Sequence, residues 1–260
     1  MYSENTVRAY VEQIQKFLKY FEPVASKPSE ISAKQIKEYL SSLGSYSYHK
    51  AALCAIKYFY KEVGKQPRKL DDVKFPRKQQ RLPQVLSQQE IQRMFNACTN
   101  TKHKVILSLL YATGLRVSEL INLKWENIDR QRMVINIITG KGNKDRQVML
   151  PEMLIPLFTK YWMEYRSKEY VLNGQFEPQY SQTSVLQVVK QLAAKAGINK
   201  RVYTHLMRHC SFTHMVENGT DINLIQRIAG HKSAKTTAIY THISHNIISK
   251  IQSPIAMIQL

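Results

Sequence analysis

Val134-Ile135-Asn136-Ile137-Ile138-Thr139-Gly140-Lys141-Gly142-Asn143-Lys144-Asp145-Arg146-Gln147-Val148-Met149-Leu150 departs from the helical spacing that surrounds it. Apolar Val134, Ile135, Ile137 and Ile138, the turn residues Gly140 to Asn143, and then Gln147 to Leu150 read as a β-hairpin. On its N-terminal side, Ser87-Gln88-Gln89-Glu90 is a capping box that opens a helix to about Cys98. Residues 103–113, with Val105, Ile106, Leu109 and Leu110, read as a buried helix ended by Gly114. On its C-terminal side, helices are expected near 152–166, 183–196, 206–217, 222–229 and 234–241. One hairpin set among helices gives a mainly α chain with a small β-sheet (α+β).

Residues 3–63 are helical in pattern throughout. Ser3 is placed to cap a first helix carrying Val7, Tyr10, Val11, Ile14, Phe17, Leu18 and Phe21. Ser32 opens a second around Ile36, Tyr39 and Leu40, and a third carries Leu53, Ile56, Tyr58 and Phe59 up to Gly64. From 65 to 84 the apolar period lapses, prolines stand at 67, 76 and 83, and Lys65, Arg68, Lys69, Lys74, Arg77, Lys78 and Arg81 meet only Asp71 and Asp72. This reads as a basic linker, either solvated or laid along phosphates. The expected organisation is an all-α unit at 1–64, the linker at 65–84, a larger domain at 85–243 and a tail at 244–260.

Charge narrows the partner. The 260 residues hold 38 Lys and Arg against 19 Asp and Glu, a net +19. Residues 1–84 carry 16 basic against 8 acidic, and 85–260 carry 22 against 11. A membrane-surface protein would concentrate its excess in one amphipathic helix or a polybasic tail. Two basic halves suit a clamp around a long polyanion. Cys54, Cys98 and Cys210 have no CxxC spacing, so neither a disulfide framework nor a zinc site is indicated, and a reducing setting fits. With no signal-like start and no run of membrane-spanning length, a cytoplasmic protein with no membrane association is expected. His242 and His245 lack the carboxylate or cysteine partners of a metal site, so no metal site is expected.

Several residues could carry chemistry on a phosphodiester, which needs a nucleophile, charge stabilisation on the non-bridging oxygens and an acid for the departing sugar oxygen. Arg116 follows the Gly114 turn and could hold a phosphate bidentately; the plain alternative pairs it with Glu119 at a helix start. His205 and Arg208 stand three apart at a helix N-terminus, on one face, with His209 pointing away. Alternatively His205 caps that helix and Arg208 pairs with an acid. Gly230-His231-Lys232-Ser233 reads as a tight turn, and Tyr240, nine residues beyond His231, is a nucleophile or one packing residue among fifteen tyrosines. Lys141, at the hairpin turn, is solvated or inserted beside a phosphate, where it could protonate the leaving oxygen.

The ordered series Ala112-Thr113-Gly114-Leu115-Arg116-Val117-Ser118-Glu119-Leu120, Gly140-Lys141-Gly142-Asn143-Lys144, His205-Leu206-Met207-Arg208-His209, Gly230-His231-Lys232-Ser233 and Thr236 to Tyr240 closely resembles the tyrosine recombinase family, the phage integrases and Xer-like enzymes. The resemblance covers residues 87–243 strongly, and 3–63 look like that family's helical core-binding domain. It implies a two-domain C-shaped clamp with a tyrosine-recombinase catalytic domain. It implies Tyr240 as nucleophile, Arg116 and Arg208 as phosphate clamps, Lys141 as general acid, His205 and His231 as proton-handling or hydrogen-bonding groups, and Glu119 behind Arg116. Lys65, Arg68, Lys69, Lys74, Arg77, Lys78, Arg81, Lys144 and Arg146 are the candidate DNA contacts. The family's 3′-phosphotyrosine chemistry conserves bond energy, so no cofactors, neither metal nor ATP, are expected.

Met207 stands where the family usually has Leu, a swap of similar apolar volume. The interval from Lys141 to His205 is short for the extra helix of integron integrases, and no arm-binding domain is expected before residue 3. A minimal Xer-like recombinase or small mobile-element integrase is expected. Its partners would be duplex DNA at a recombination site and its own copies, a homo-tetramer on synapsed DNA and a monomer or dimer when free. The apolar tail, with Ile247, Ile248, Ile251, Ile255, Met257 and Ile258, would pack in cis or dock on a neighbour. Two other readings share the scaffold: a type IB-topoisomerase-like relaxing enzyme and a non-catalytic DNA-binding regulator. A metal-dependent nuclease would need a carboxylate cluster that the sequence lacks.

Overall fold

A computed structural model of the chain describes residues 4–75, 84–138, 145–231, 233, 236–238 and 240. The chain divides into two compact units, Met1–Arg81 and Leu82–Leu260.

The first unit is built from α1 (Glu4–Phe21), α2 (Ala33–Ser42) and α3 (Tyr46–Glu62). Ser32 and Ser45 cap α2 and α3, each accepting a hydrogen bond from the backbone N–H three residues on. Ser3, the expected cap of α1, lies outside the described residues. Phe17, Phe21, Ile36, Tyr39, Leu40, Leu53, Ile56 and Tyr60 form the core. Its aromatic rings meet edge-on, Phe17 touching Phe21, Tyr39 and Tyr60 at centroid distances of 5.2, 5.5 and 6.3 Å. Two of the apolar residues expected inside α1, Val7 and Val11, are instead 50% and 47% exposed.

The stretch read as a linker begins differently from that expectation. Leu70 and Val73 are buried in the first core, 3% and 5% exposed, so residues 65–75 continue the unit. Leu and Val within the basic run supply the apolar area that a solvated connector would lack. Lys69 donates to the Ser29 carbonyl at 2.8 Å and sits 4.6 Å from the centroid of the Tyr60 ring. The Tyr60 hydroxyl in turn donates to the Pro28 carbonyl at 2.6 Å. Lys69 is therefore a packing cation, and burial lowers its pKa. Lys65, Arg68 and Lys74 remain exposed.

The second unit comprises α4 (Gln88–Asn96), α5 (Thr101–Thr113), α6 (Val117–Ile121), strands β1 (Ile128–Asp129), β2 (Val134–Ile137) and β3 (Arg146–Met149), then α7 (Leu154–Tyr165), α8 (Gln182–Lys195), α9 (Thr204–Glu217) and α10 (Ile222–Ala229). The Ser87 capping box is present: Ser87 Oγ accepts from the Glu90 N–H, and Glu90 reaches back to the Ser87 N–H at 2.7 Å. Helix α5 is apolar around its circumference and lies in the core. It ends at Gly114 in the left-handed region, φ 62°, where an added Cβ would stand 2.5 Å from the Phe212 ring of α9. Only glycine meets both the dihedral and the contact.

The hairpin forms as its alternation dictates. Strands β2 and β3 pair antiparallel, Ile135 opposite Val148 on the face that enters the core, and Asn136 opposite Gln147 and Val134 opposite Met149 on the outer face. A short strand not foreseen from the sequence, β1, adds to β2 and gives the order β1-β2-β3. At two residues it is too short to show a period.

Candidate active site

The site assembles where α5, α6, β3, α9 and α10 end or begin. Arg116 is the N-cap residue of α6, directly after the Gly114 turn, with its side chain 37% exposed. Its backbone N–H donates to Glu119 Oε2 at 2.8 Å, and its guanidinium Nη1 donates to Glu119 Oε1 at 2.8 Å. The helix-start pairing and the phosphate-facing placement are thus compatible, because one guanidinium edge is tied and the other reaches solvent.

Arg208 is a different kind of residue. It projects from α9 and is 1% exposed. Its Nη1 donates to the Gly114 carbonyl, beyond the end of α5, and its Nη2 donates to the Ala229 carbonyl at 2.6 Å, at the end of α10. These are the carbonyl groups that a helix C-terminus leaves unsatisfied, at the negative end of its dipole. The guanidinium also lies 4.7 Å from the centroid of Phe212, one turn along α9. Among the described residues Arg208 makes no salt bridge, so the acid partner considered from the sequence is absent there. Burial, then the nearby Arg116 charge, lowers its pKa to about 10, and it stays charged at neutral pH. A buried cation stabilised by dipoles and a ring, with a second arginine beside it, leaves a positive potential that an anion would neutralise.

His231 follows the left-handed Gly230 at the end of α10. Its Nε2 lies 3.3 Å from Arg208 Nη2 and its Nδ1 lies 3.0 Å from Thr237 Oγ1. Arginine can only donate, so Nε2 is the acceptor, and the neutral ring carries its proton on Nδ1, donated to Thr237. Burial, then Arg208 and Arg116, lower the His231 pKa to about 4. His205 lies within the first turn of α9, whose N-cap residue is Tyr203, so it is not the capping residue; the residue is partly open to solvent, yet burial, then Arg208 and Arg116, lower its pKa.

Tyr240 is 2% exposed and completes the cluster. Its ring is nearly parallel to that of His231, at 17° and 6.1 Å, and tilted against Phe212 and His209 at 5.5 and 5.9 Å. Burial raises its pKa while Arg208 and Arg116 pull it down. The tyrosine of the TTxxY stretch therefore stands beside the arginine and histidine of two other motifs, in the same chain.

His209 does not point away: four residues after His205 it shares that residue's face, their ring centroids 4.7 Å apart. Burial, then His205 and Arg208, lower its pKa to about 4, and its buried Nδ1 has no hydrogen-bond partner among the described residues. Arg146, expected on DNA, is 8% exposed at its side chain and bonded throughout to Glu119 and to the Ile228 carbonyl. Its place in an alternating strand with the inward-facing Val148 was the available signal. Thr237 and Phe212 were not singled out from sequence, and nothing in their spacing marks them. Lys141, Lys144, Arg77, Lys78, Arg81 and the tail from 244 lie outside the described residues. Among the described residues no helix is long and apolar enough to cross a membrane.

Comparison with known proteins bears on this arrangement as a whole. Residues 84–246 match the Phage integrase family, and residues 1–70 match the Phage integrase, N-terminal SAM-like domain. The tyrosine recombinase XerA of Thermococcus onnurineus is 32% identical, over 99% of this chain and 91% of its own length. A crystal structure of XerA recombinase superposes with a TM-score of 0.61 at 31% identity, covering 96% of this chain and 91% of that one. A lambda integrase tetramer bound to a Holliday junction shares the fold, with a TM-score of 0.77 at 16% identity over 92% of this chain and 72% of that one. With both of its units matched and relatives above 30% identity along nearly its whole length, the chain belongs to the phage integrase family of tyrosine recombinases.

Proposed function

We propose that this recombinase cleaves and rejoins duplex DNA through Tyr240. The Tyr240 oxygen attacks the scissile phosphorus, the bond to the 5′ oxygen breaks, and a 3′-phosphotyrosyl linkage forms. Lys141 gives its proton to the departing 5′ oxygen, which leaves as a hydroxyl. Arg116 and Arg208 neutralise the non-bridging oxygens of the pentacoordinate transition state. His205 and His231 handle the tyrosine proton and hydrogen-bond the phosphate. Attack by a 5′-hydroxyl from a second duplex reverses the step; a first round forms a four-way junction held by four copies and a second resolves it. Lys65, Arg68, Lys74, Arg77, Lys78, Arg81 and Lys144 contact the DNA backbone in this reading.

The observation that carries it is Arg208, buried among helix-end carbonyls with no carboxylate partner among the described residues and packed on Phe212, whose ring is tilted against Tyr240. A packing tyrosine and a structural arginine would not need that uncompensated charge. The test is a pool of nicked suicide duplexes tiling the DNA that flanks the gene. The wild-type chain should yield a denaturation-resistant protein–DNA adduct, and Tyr240→Phe should yield none. An adduct that survives in Tyr240→Phe removes the nucleophile assignment. Plasmid relaxation by a monomer, without recombinants, would move the function to the topoisomerase reading.

A further inference from the structure

We propose that Arg146 is a positioning residue that sets Arg116 and the His231 turn from the strand leading out of the Lys141 hairpin, and that it does not contact DNA. The proposal rests on the catalytic roles assigned above. Its Nη1 and Nη2 donate to Glu119 Oε1 and Oε2, both at 2.8 Å, a bidentate fork that lysine cannot reproduce. Its Nε donates to the Ile228 carbonyl at 2.6 Å, in the last turn of α10. Arg116 adds its own guanidinium and backbone N–H to the same two carboxylate oxygens. Glu119 therefore receives four donors, which fills the acceptor capacity of a carboxylate.

This places Glu119 as a joint between β3 and α6, and Arg146 as the part that fixes the joint. Without Arg146 the carboxylate keeps only Arg116, which lies on its own turn and moves with it. The same guanidinium holds the end of α10 at Ile228, one residue before the carbonyl that Arg208 uses. Gly230 shows how close this approach is: a Cβ there would meet Arg146 Cδ at 3.1 Å. The charges facing Glu119 are Arg116 from the start of α6, Arg146 from β3 and, further off, Arg208 from α9. Burial raises the Glu119 pKa, but Arg146 and Arg116 outweigh it and leave the value at about 2. Removal of Arg146 shifts that balance toward burial, and the carboxyl should titrate at a higher pH.

The experiment compares wild type, Arg146→Met and Arg146→Lys in three measurements. The Glu119 carboxyl carbon is titrated by NMR in the free protein. Binding of a fluorescein-labelled random-sequence duplex is followed against salt. Adduct formation is timed on the nicked duplexes across a pH series. In Arg146→Met the Glu119 titration should move upward, and duplex affinity and its salt slope should stay within about twofold. Adduct formation should slow about 100-fold, an effect of misplaced positioning, with its acid limb at higher pH than in wild type. Arg146→Lys, retaining charge without the fork, should keep Glu119 ionised and recover only part of the rate. A salt slope reduced by about one would make Arg146 a phosphate contact and overturn the proposal. An unchanged Glu119 titration or a wild-type rate in Arg146→Met would also overturn it. If Arg146→Met fails to fold, Arg146→Lys decides: a wild-type rate there means the fork is unnecessary. Absence of any wild-type adduct would count against the catalytic reading, while the Glu119 titration would still test Arg146.

Discussion

Helices α3 and α9 solve the burial problem in opposite ways. In α3 the buried residues are Ala52, Leu53, Ala55, Ile56 and Tyr60, one apolar stripe behind a solvated face. In α9 nine of fourteen positions are buried, including Arg208, Ser211, Thr213 and His214. The first helix is held by area removed from water. The second brings a charge and polar groups inside: the ends of its neighbours, Gly114 after α5 and Ala229 in α10, take up the charge, and Tyr111 of α5 pairs with His214. A core built on area tolerates exchange of one apolar residue for another, whereas a core built around a cation fixes where each helix can end. Stability and chemistry should therefore separate between the two units.

The largest effect tests that separation at its polar end. Arg208→Met should reduce adduct formation by about 10²–10³-fold, the usual cost of removing one transition-state donor. Its stability should change by only about 1 kcal/mol, because the orphaned carbonyls are offset by relief of a buried charge. Thermal melting beside the adduct assay checks both, and a collapse of folding would mean that Arg208 is chiefly structural. The apolar end is tested by Leu70→Ala, in the segment that the sequence presents as linker. It should cost about 2–4 kcal/mol in denaturant unfolding of the first unit. A loss near zero would return that segment to a solvated connector. The smallest effect belongs to Thr237→Val, which removes the acceptor for His231 Nδ1–H at constant shape. Adduct formation should fall about tenfold, as expected for a mispositioned proton-handling group, with melting almost unchanged. A wild-type rate would show that the imidazole needs no such anchor.

The helices were legible because their signals are local. Ser32 and Ser87 cap where expected, Gly114 ends α5, and the alternation of Ile135, Ile137 and Val148 marks the hairpin faces. The linker was misread in its first half because Leu70 and Val73 are two apolar residues among seven cations, too few to show a period. His209 was misjudged through its nearness to Arg208, when the i, i+4 relation to His205 decides its face. Arg146 was assigned by charge alone, and a guanidinium in a basic chain does not announce whether its partner is a phosphate or a carboxylate 27 residues away.

The order of motifs, the helix caps and the basic balance are properties of the chain read in one dimension, and they determined the family, the α+β class and the candidate nucleophile. Which groups touch is a different matter. The Gly114 and Ala229 carbonyls that hold Arg208, the Thr237 hydroxyl that sets the His231 tautomer and the fork of Arg146 on Glu119 join residues 6 to 94 positions apart. Backbone carbonyls carry no residue signature, and long-range partners leave no period. Only the tertiary packing of helix ends against one another decided them.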